Sequence, residues 1–75
     1  MNIEDEIYTR LQQMEVVPLL GGLVPENATA KLLGYSHSYF RQLASTGLSP
    51  LPSVRRGNRR FYKIADISKF VTETA

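Results

Sequence analysis

The stretch "NATAKLLGYSHSYFRQLASTG", Asn27 to Gly47, reads as two helices broken at one glycine. In the first, Ala28, Leu32 and Leu33 fall on one side at helical spacing. Pro25 just before it suits a helix's first turn, where a missing N–H costs nothing. Gly34 ends the helix, because glycine tolerates the left-handed backbone of a helix stop. Ser36 is a good N-cap for the next helix, expected over roughly His37 to Thr46. That helix is expected to bury Phe40, Leu43 and Ala44, and Gly47 terminates it. Ala30 is small where the two helices must approach closely. The outer face of the second helix carries His37, Ser38, Arg41, Gln42 and Ser45, which are polar and basic.

Upstream, Asn2 to Met14 reads as another helix. Ile3, Ile7, Leu11 and Met14 form one apolar stripe, Asn2 can cap, and acids in the first turn suit the helix dipole. Pro18 and Gly21-Gly22 then predict a connector. Downstream, Pro50 and Pro52 make "SPLP" a stiff extended link. Val54 to Lys63 reads as a two-stranded ribbon whose Gly57-Asn58 dipeptide supplies the positive φ of a tight hairpin. Phe61 and Tyr62 are adjacent in a strand and point to opposite faces, so one is core and the other free. Tyr62 is assigned to the core. Ala65 to about Thr72 reads as a last short helix with Ile67, Phe70 and Val71 turned inward. The expected fold is mainly α with a small β-hairpin wing: an amphipathic helix and connector over 1–22, then a winged helix-turn-helix over 23–75.

Charge is segregated. The net value is only +2, but "SVRRGNRRFYK" gathers Arg55, Arg56, Arg59, Arg60 and Lys63, five of the nine cationic side chains, around the Gly-Asn pair with no acid among them. Glu4, Asp5, Glu6 and Glu15 crowd the first fifteen residues, whereas Glu26 is the sole acid from Val16 to Lys63. An acidic arm before a basic body implies a polyanionic partner. The absence of cysteine excludes a disulfide scaffold and fits a reducing compartment. The acidic amino terminus is unlike a signal peptide, and the longest apolar run, "VVPLLGGLV", is too short and too broken to span a bilayer. A soluble cytoplasmic, nucleoid-associated protein without membrane partners is expected. One histidine, no cysteine, and Gly21-Gly22 without the Lys-Ser/Thr of a phosphate loop argue against an enzyme, a metal site or a cofactor.

Two helices joined at a tight glycine turn form a helix-turn-helix, whose second helix fits a major groove and reaches base edges with its first turns. The arginine ribbon then makes sense as a wing that neutralises phosphates or enters a narrow minor groove, with Asn58 at its apex. "LLGYSHSYFRQLASTGL" followed by "PLPSVRRGNRRFYKIADISKFV" resembles the excisionase-type winged helix-turn-helix, related to MerR-like DNA-binding domains. The resemblance rests on Ala30 to Gly34, Ser36, Pro50 and Pro52, Arg55 to Arg60, and Asp66, Ile67 and Phe70, and covers about Leu23 to Val71. It departs from the pattern at Pro25, where Ser or Thr is common, in a link about one residue longer, and in the acidic first helix.

The resemblance implies a small phage or mobile-element protein that bends double-stranded DNA to position a site-specific recombinase for excision. It equally covers small transcription regulators. It places recognition-helix contacts on Ser36, His37, Ser38, Tyr39, Arg41 and Gln42, and wing contacts on Arg55, Arg56, Asn58, Arg59 and Arg60. Arg41 and Gln42 have the donor geometry for guanine and adenine edges. A single module grips little DNA surface, so cooperative self-association along the duplex is expected. A rival reading from another class is a protein-interaction module, an anti-repressor or a packaging subunit, motivated by the acidic first helix.

Overall fold

The computed structural model describes residues 2–74; Met1 and Ala75, the outer ends of the two expected segments, lie outside them. Helix α1 spans Ile3–Gln13, with the Asn2 side chain accepting the Asp5 N–H at 2.8 Å. Its Ile7 and Leu11 are buried, with Ile3 and Met14 half-buried beside them. Strand β1 is Leu23–Pro25, and helix α2, Glu26–Leu33, follows directly. Gly34 closes α2 at φ +84°, and the Tyr35 N–H donates back to the Ala30 carbonyl at 2.9 Å. Helix α3 spans His37–Ser45 and begins at Ser36, whose hydroxyl accepts the Tyr39 N–H at 3.2 Å. Strands β2, Val54–Arg56, and β3, Arg59–Lys63, form the hairpin, and α4 spans Ile64–Thr74.

The described residues therefore form four helices and a three-stranded antiparallel sheet of order β1-β3-β2. The third strand corrects the expected two-stranded ribbon. Val24 pairs with Tyr62 and Leu23 with Lys63, and the Ile64 N–H donates to the Gly22 carbonyl at 2.9 Å. A three-residue strand carries no readable alternation, so only its partner reveals it. Pro25 is corrected with it. It ends β1 and stands in the capping position of α2 at φ −58°, ψ 151°, not within the helix's first turn. A proline is tolerated here because β1 is an edge strand.

The hairpin turn is as expected, its positive φ supplied within the Gly57-Asn58 pair, and one further expectation, the status of Phe61, changes. In the hairpin turn, Gly57 has φ +63° while Asn58 does not adopt a positive φ. One positive φ, at the first central residue, is the sign pattern of a type II′ turn, which asks for glycine there alone. Phe61 and Tyr62 do point to opposite faces, yet both are buried, at 4% and 0% exposure. Pairing explains this. Tyr62 lies beside Val24 on the core face, while Phe61 lies between Val54 and Pro25 on the other face, with the Arg59 guanidinium 5.4 Å from its ring centre.

The core joins all four helices to the sheet through Ile7, Leu11, Val24, Ala28, Ala30, Phe40, Leu51, Tyr62, Ile64 and Ile67. Ala30 is fully buried where α2 meets its neighbours, as its size allows. Leu51, in the middle of the proline link, turns inward and pins that link to the body. Phe40 anchors α3, stacked on Tyr35 at 5.6 Å and tilted against Tyr62 at 5.2 Å. Leu43 and Ala44 are only half-buried, so most of the hold on α3 falls to Phe40. Truncating a buried Phe costs about 3–5 kcal/mol, out of a total stability of roughly 4–11 kcal/mol for a chain of this length. Phe40→Ala is therefore expected to lower the urea midpoint by at least about a quarter, and to leave the chain unfolded in water if the parent's stability lies at the low end of that range. Leu43→Ala should cost less than half as much.

Candidate nucleic-acid interface

The basic body contains one carboxylate, and the fold puts it at the centre. Glu26 opens α2, where the helix dipole favours an anion, and it is 9% exposed. Its Oε2 accepts from Arg60 Nη1 and from the Tyr62 hydroxyl, each at 3.3 Å. Its Oε1 lies 3.7 Å from His37 Nε2, an ion pair whenever that imidazole is protonated. A buried charge is costly unless it is paired and hydrogen-bonded, and these partners meet that demand. No buried side-chain nitrogen or oxygen among the described residues lacks a partner.

This junction brings three elements together: α2 through Glu26, the first turn of α3 through His37, and β3 through Arg60 and Tyr62. The arginine hairpin consequently starts beside the amino-terminal end of α3. On α3, Ser36, His37, Ser38, Tyr39, Arg41 and Gln42 are all exposed. The Ser36 hydroxyl is engaged as the helix cap. Tyr39 is half-exposed and its ring sits 5.8 Å from that of Tyr35, so it packs over the turn while presenting one side to solvent. Arg41 and Gln42 stand one turn after His37 and Ser38 on the same outward face.

The hairpin's arginines divide by face. Residues paired across antiparallel strands share a face, and the pairs are Arg55 with Arg60 and Arg56 with Arg59. Arg55 and Arg60 thus lie on the side of Tyr62, toward the helices, and Arg56 and Arg59 on the side of Phe61. Arg55, Arg56, Asn58 and Arg59 are exposed, while Arg60 is half-buried against Glu26. Arg56 Nη1 donates to the Arg55 carbonyl at 3.2 Å, and Arg59 rests over Phe61, a contact that holds its guanidinium in place at the surface. Among the five cationic side chains of this stretch, Arg60 is the one tied to an acid of the described residues.

Burial pushes the Tyr62 phenol above its ordinary value, Ser49 beside it pulls back, the negative charge of Glu26 and its hydrogen bond push further up, and Arg60 opposes them. In the sequence Glu26 stands out only as an isolated acid within a basic segment. Its position one residue after a proline, at a helix start in a basic segment, was the available signal. No group of three or more potential metal ligands occurs among the described residues, and no described helix is long and apolar enough to cross a membrane. In comparisons with known proteins, no family model, no curated protein and no solved structure matches this chain.

Removing one partner from a buried, hydrogen-bonded charge cluster costs about 2–4 kcal/mol. Glu26→Ala should lose that much in urea denaturation, and Glu26→Gln, which still accepts hydrogen bonds, distinctly less. The phenol gives a second expectation. Because Tyr62 holds its proton more tightly when folded, the unfolded chain ionises first as pH rises. Stability is then intact below about pH 10, the unfolded value, and falls as pH climbs through the raised folded value. Tyr62→Phe should flatten this part of the alkaline stability curve.

Proposed function

We propose that this chain is a sequence-specific duplex-DNA-binding protein of winged helix-turn-helix type, with the excisionase-like role of bending a site and positioning a site-specific recombinase. Helix α3 occupies the major groove and presents Arg41 and Gln42 to base edges. The β2–β3 hairpin lies over the neighbouring minor groove, with Arg55, Arg56 and Arg59 on phosphates and Asn58 at the tip. The observation that carries this reading is the convergence of His37 from α3 and Arg60 from the hairpin on one carboxylate, which sets the polar helix face and the cationic hairpin side by side. A wedge of this kind needs no chemistry of its own. Small single modules bury only about 600–1,000 Å² of protein surface on DNA, so copies bound next to one another would strengthen the grip.

Salt dependence tests the reading directly. With Arg55, Arg56 and Arg59 on phosphates, the slope of log affinity against log salt should lie near about −2.7. A slope indistinguishable from zero by fluorescence anisotropy would overturn the proposal. Arg56→Ala combined with Arg59→Ala should weaken all duplexes alike and make the slope shallower by about 1.8. Gln42→Ala should leave the slope alone and erode the preference for a selected site over random duplex, typically by about 1–3 kcal/mol.

A further inference from the structure

We infer that Glu26 is an internal counter-anion that keeps Arg60 off DNA phosphates and uses it to clamp the hairpin to the first turn of α3, so fixing the angle between the two DNA-contacting elements. The inference rests on the DNA-binding reading and adds a positioning residue that touches no DNA.

Three observations carry it. First, Glu26 is the only acid from Val16 to Lys63, and it is nearly buried rather than solvated on the surface. An acid on a phosphate-binding surface opposes binding, and burial behind Arg60 and Tyr62 removes that penalty. Second, Arg60 differs from its neighbours. Arg55, Arg56 and Arg59 are exposed and make no ion pair among the described residues, whereas the Arg60 side chain is 25% exposed with its Nη1 on Glu26. Third, the carboxylate divides its oxygens. Oε2 takes both hairpin donors, Arg60 and Tyr62, and Oε1 faces His37 of α3. Each oxygen thus addresses a different DNA-contacting element, and α2 carries the pivot.

A helix and a hairpin that must enter adjacent grooves need a defined mutual angle, and misalignment costs the contacts of one when the other docks. The hydrophobic contact between Phe40 and Tyr62 sets the distance between α3 and β3. It is not directional. The hydrogen bonds from Arg60 and Tyr62 to Glu26 are directional and orient the hairpin against α2, and the 3.7 Å approach of His37 to the other oxygen brings the first turn of α3 to the same carboxylate.

The test compares arginines that share a strand. Arg59→Gln should make the salt slope shallower by about 0.9, the loss of one phosphate contact. Arg60→Gln should leave the slope unchanged and instead lower the ratio of selected-site to random-duplex affinity several-fold. Glu26→Gln should release Arg60, making the slope steeper by about 0.9 while the same ratio falls. In the unbound protein, Glu26→Gln should also alter residual dipolar couplings of hairpin amides relative to those of α3. A role confined to stability would move neither the slope nor the couplings. An Arg60→Gln slope that drops as far as that of Arg59→Gln overturns the inference even if Glu26→Gln fails to fold. A parent protein with no salt dependence overturns the DNA reading itself, a result distinguishable from the variant pattern.

Discussion

A carboxylate among arginines must either be neutralised or be given enough partners to remain. Glu26 takes the second course, and its two oxygens are shared between the hairpin and the first turn of α3 at the start of α2. The helix N-terminus supplies positive potential, Arg60 a full charge, and Tyr62 a buried hydroxyl. Beneath it, Phe40 and Tyr62 pack ring to ring, so the polar junction sits directly on the aromatic part of the core. Packing and electrostatics are not separable here. Tyr62 belongs to both, with its ring in the core and its oxygen on the carboxylate.

Around that junction the chain uses economical means to build a core from few residues. Helix α1 contributes Ile7 and Leu11, α4 contributes Ile64 and Ile67, and the proline link contributes Leu51. Small domains bury a smaller share of their surface than large ones, so each connector that turns a side chain inward matters. The short strand β1 works the same way. By pairing with β3 it covers the edge of the strand that carries Tyr62 and brings Val24 into the core. On the proposed reading, α3's outer face and the hairpin's exposed arginines are the parts of this body that meet DNA.

The candidate site was partly legible in the residues. The outward set on α3 could be read because helical periodicity separates it cleanly from Phe40. The arginine hairpin could be read because Gly57 marks the turn and the bases flank it. The different status of Arg60 could not. Alternation along β3 puts Arg60 on Tyr62's side, but that says nothing about which acid waits there, since its partner lies 34 residues earlier. For the same reason the burial of Phe61 escaped the rule that adjacent strand residues divide between core and solvent. A sheet with a third strand has company on both faces.

What the sequence alone determined is local: where α1 and α3 begin, at Asn2 and Ser36, where α2 ends, at Gly34, where the hairpin turns, at Gly57, and which positions of α3 face outward. These depend on backbone preferences and hydrogen bonds spanning three or four residues, and neighbouring residues carry that information in full. Tertiary structure decided the existence of β1, the burial of Phe61 and the ion pair that removes Arg60 from the exposed arginines. Those outcomes depend on which distant groups share a low-dielectric space, and only the folded chain brings those groups together.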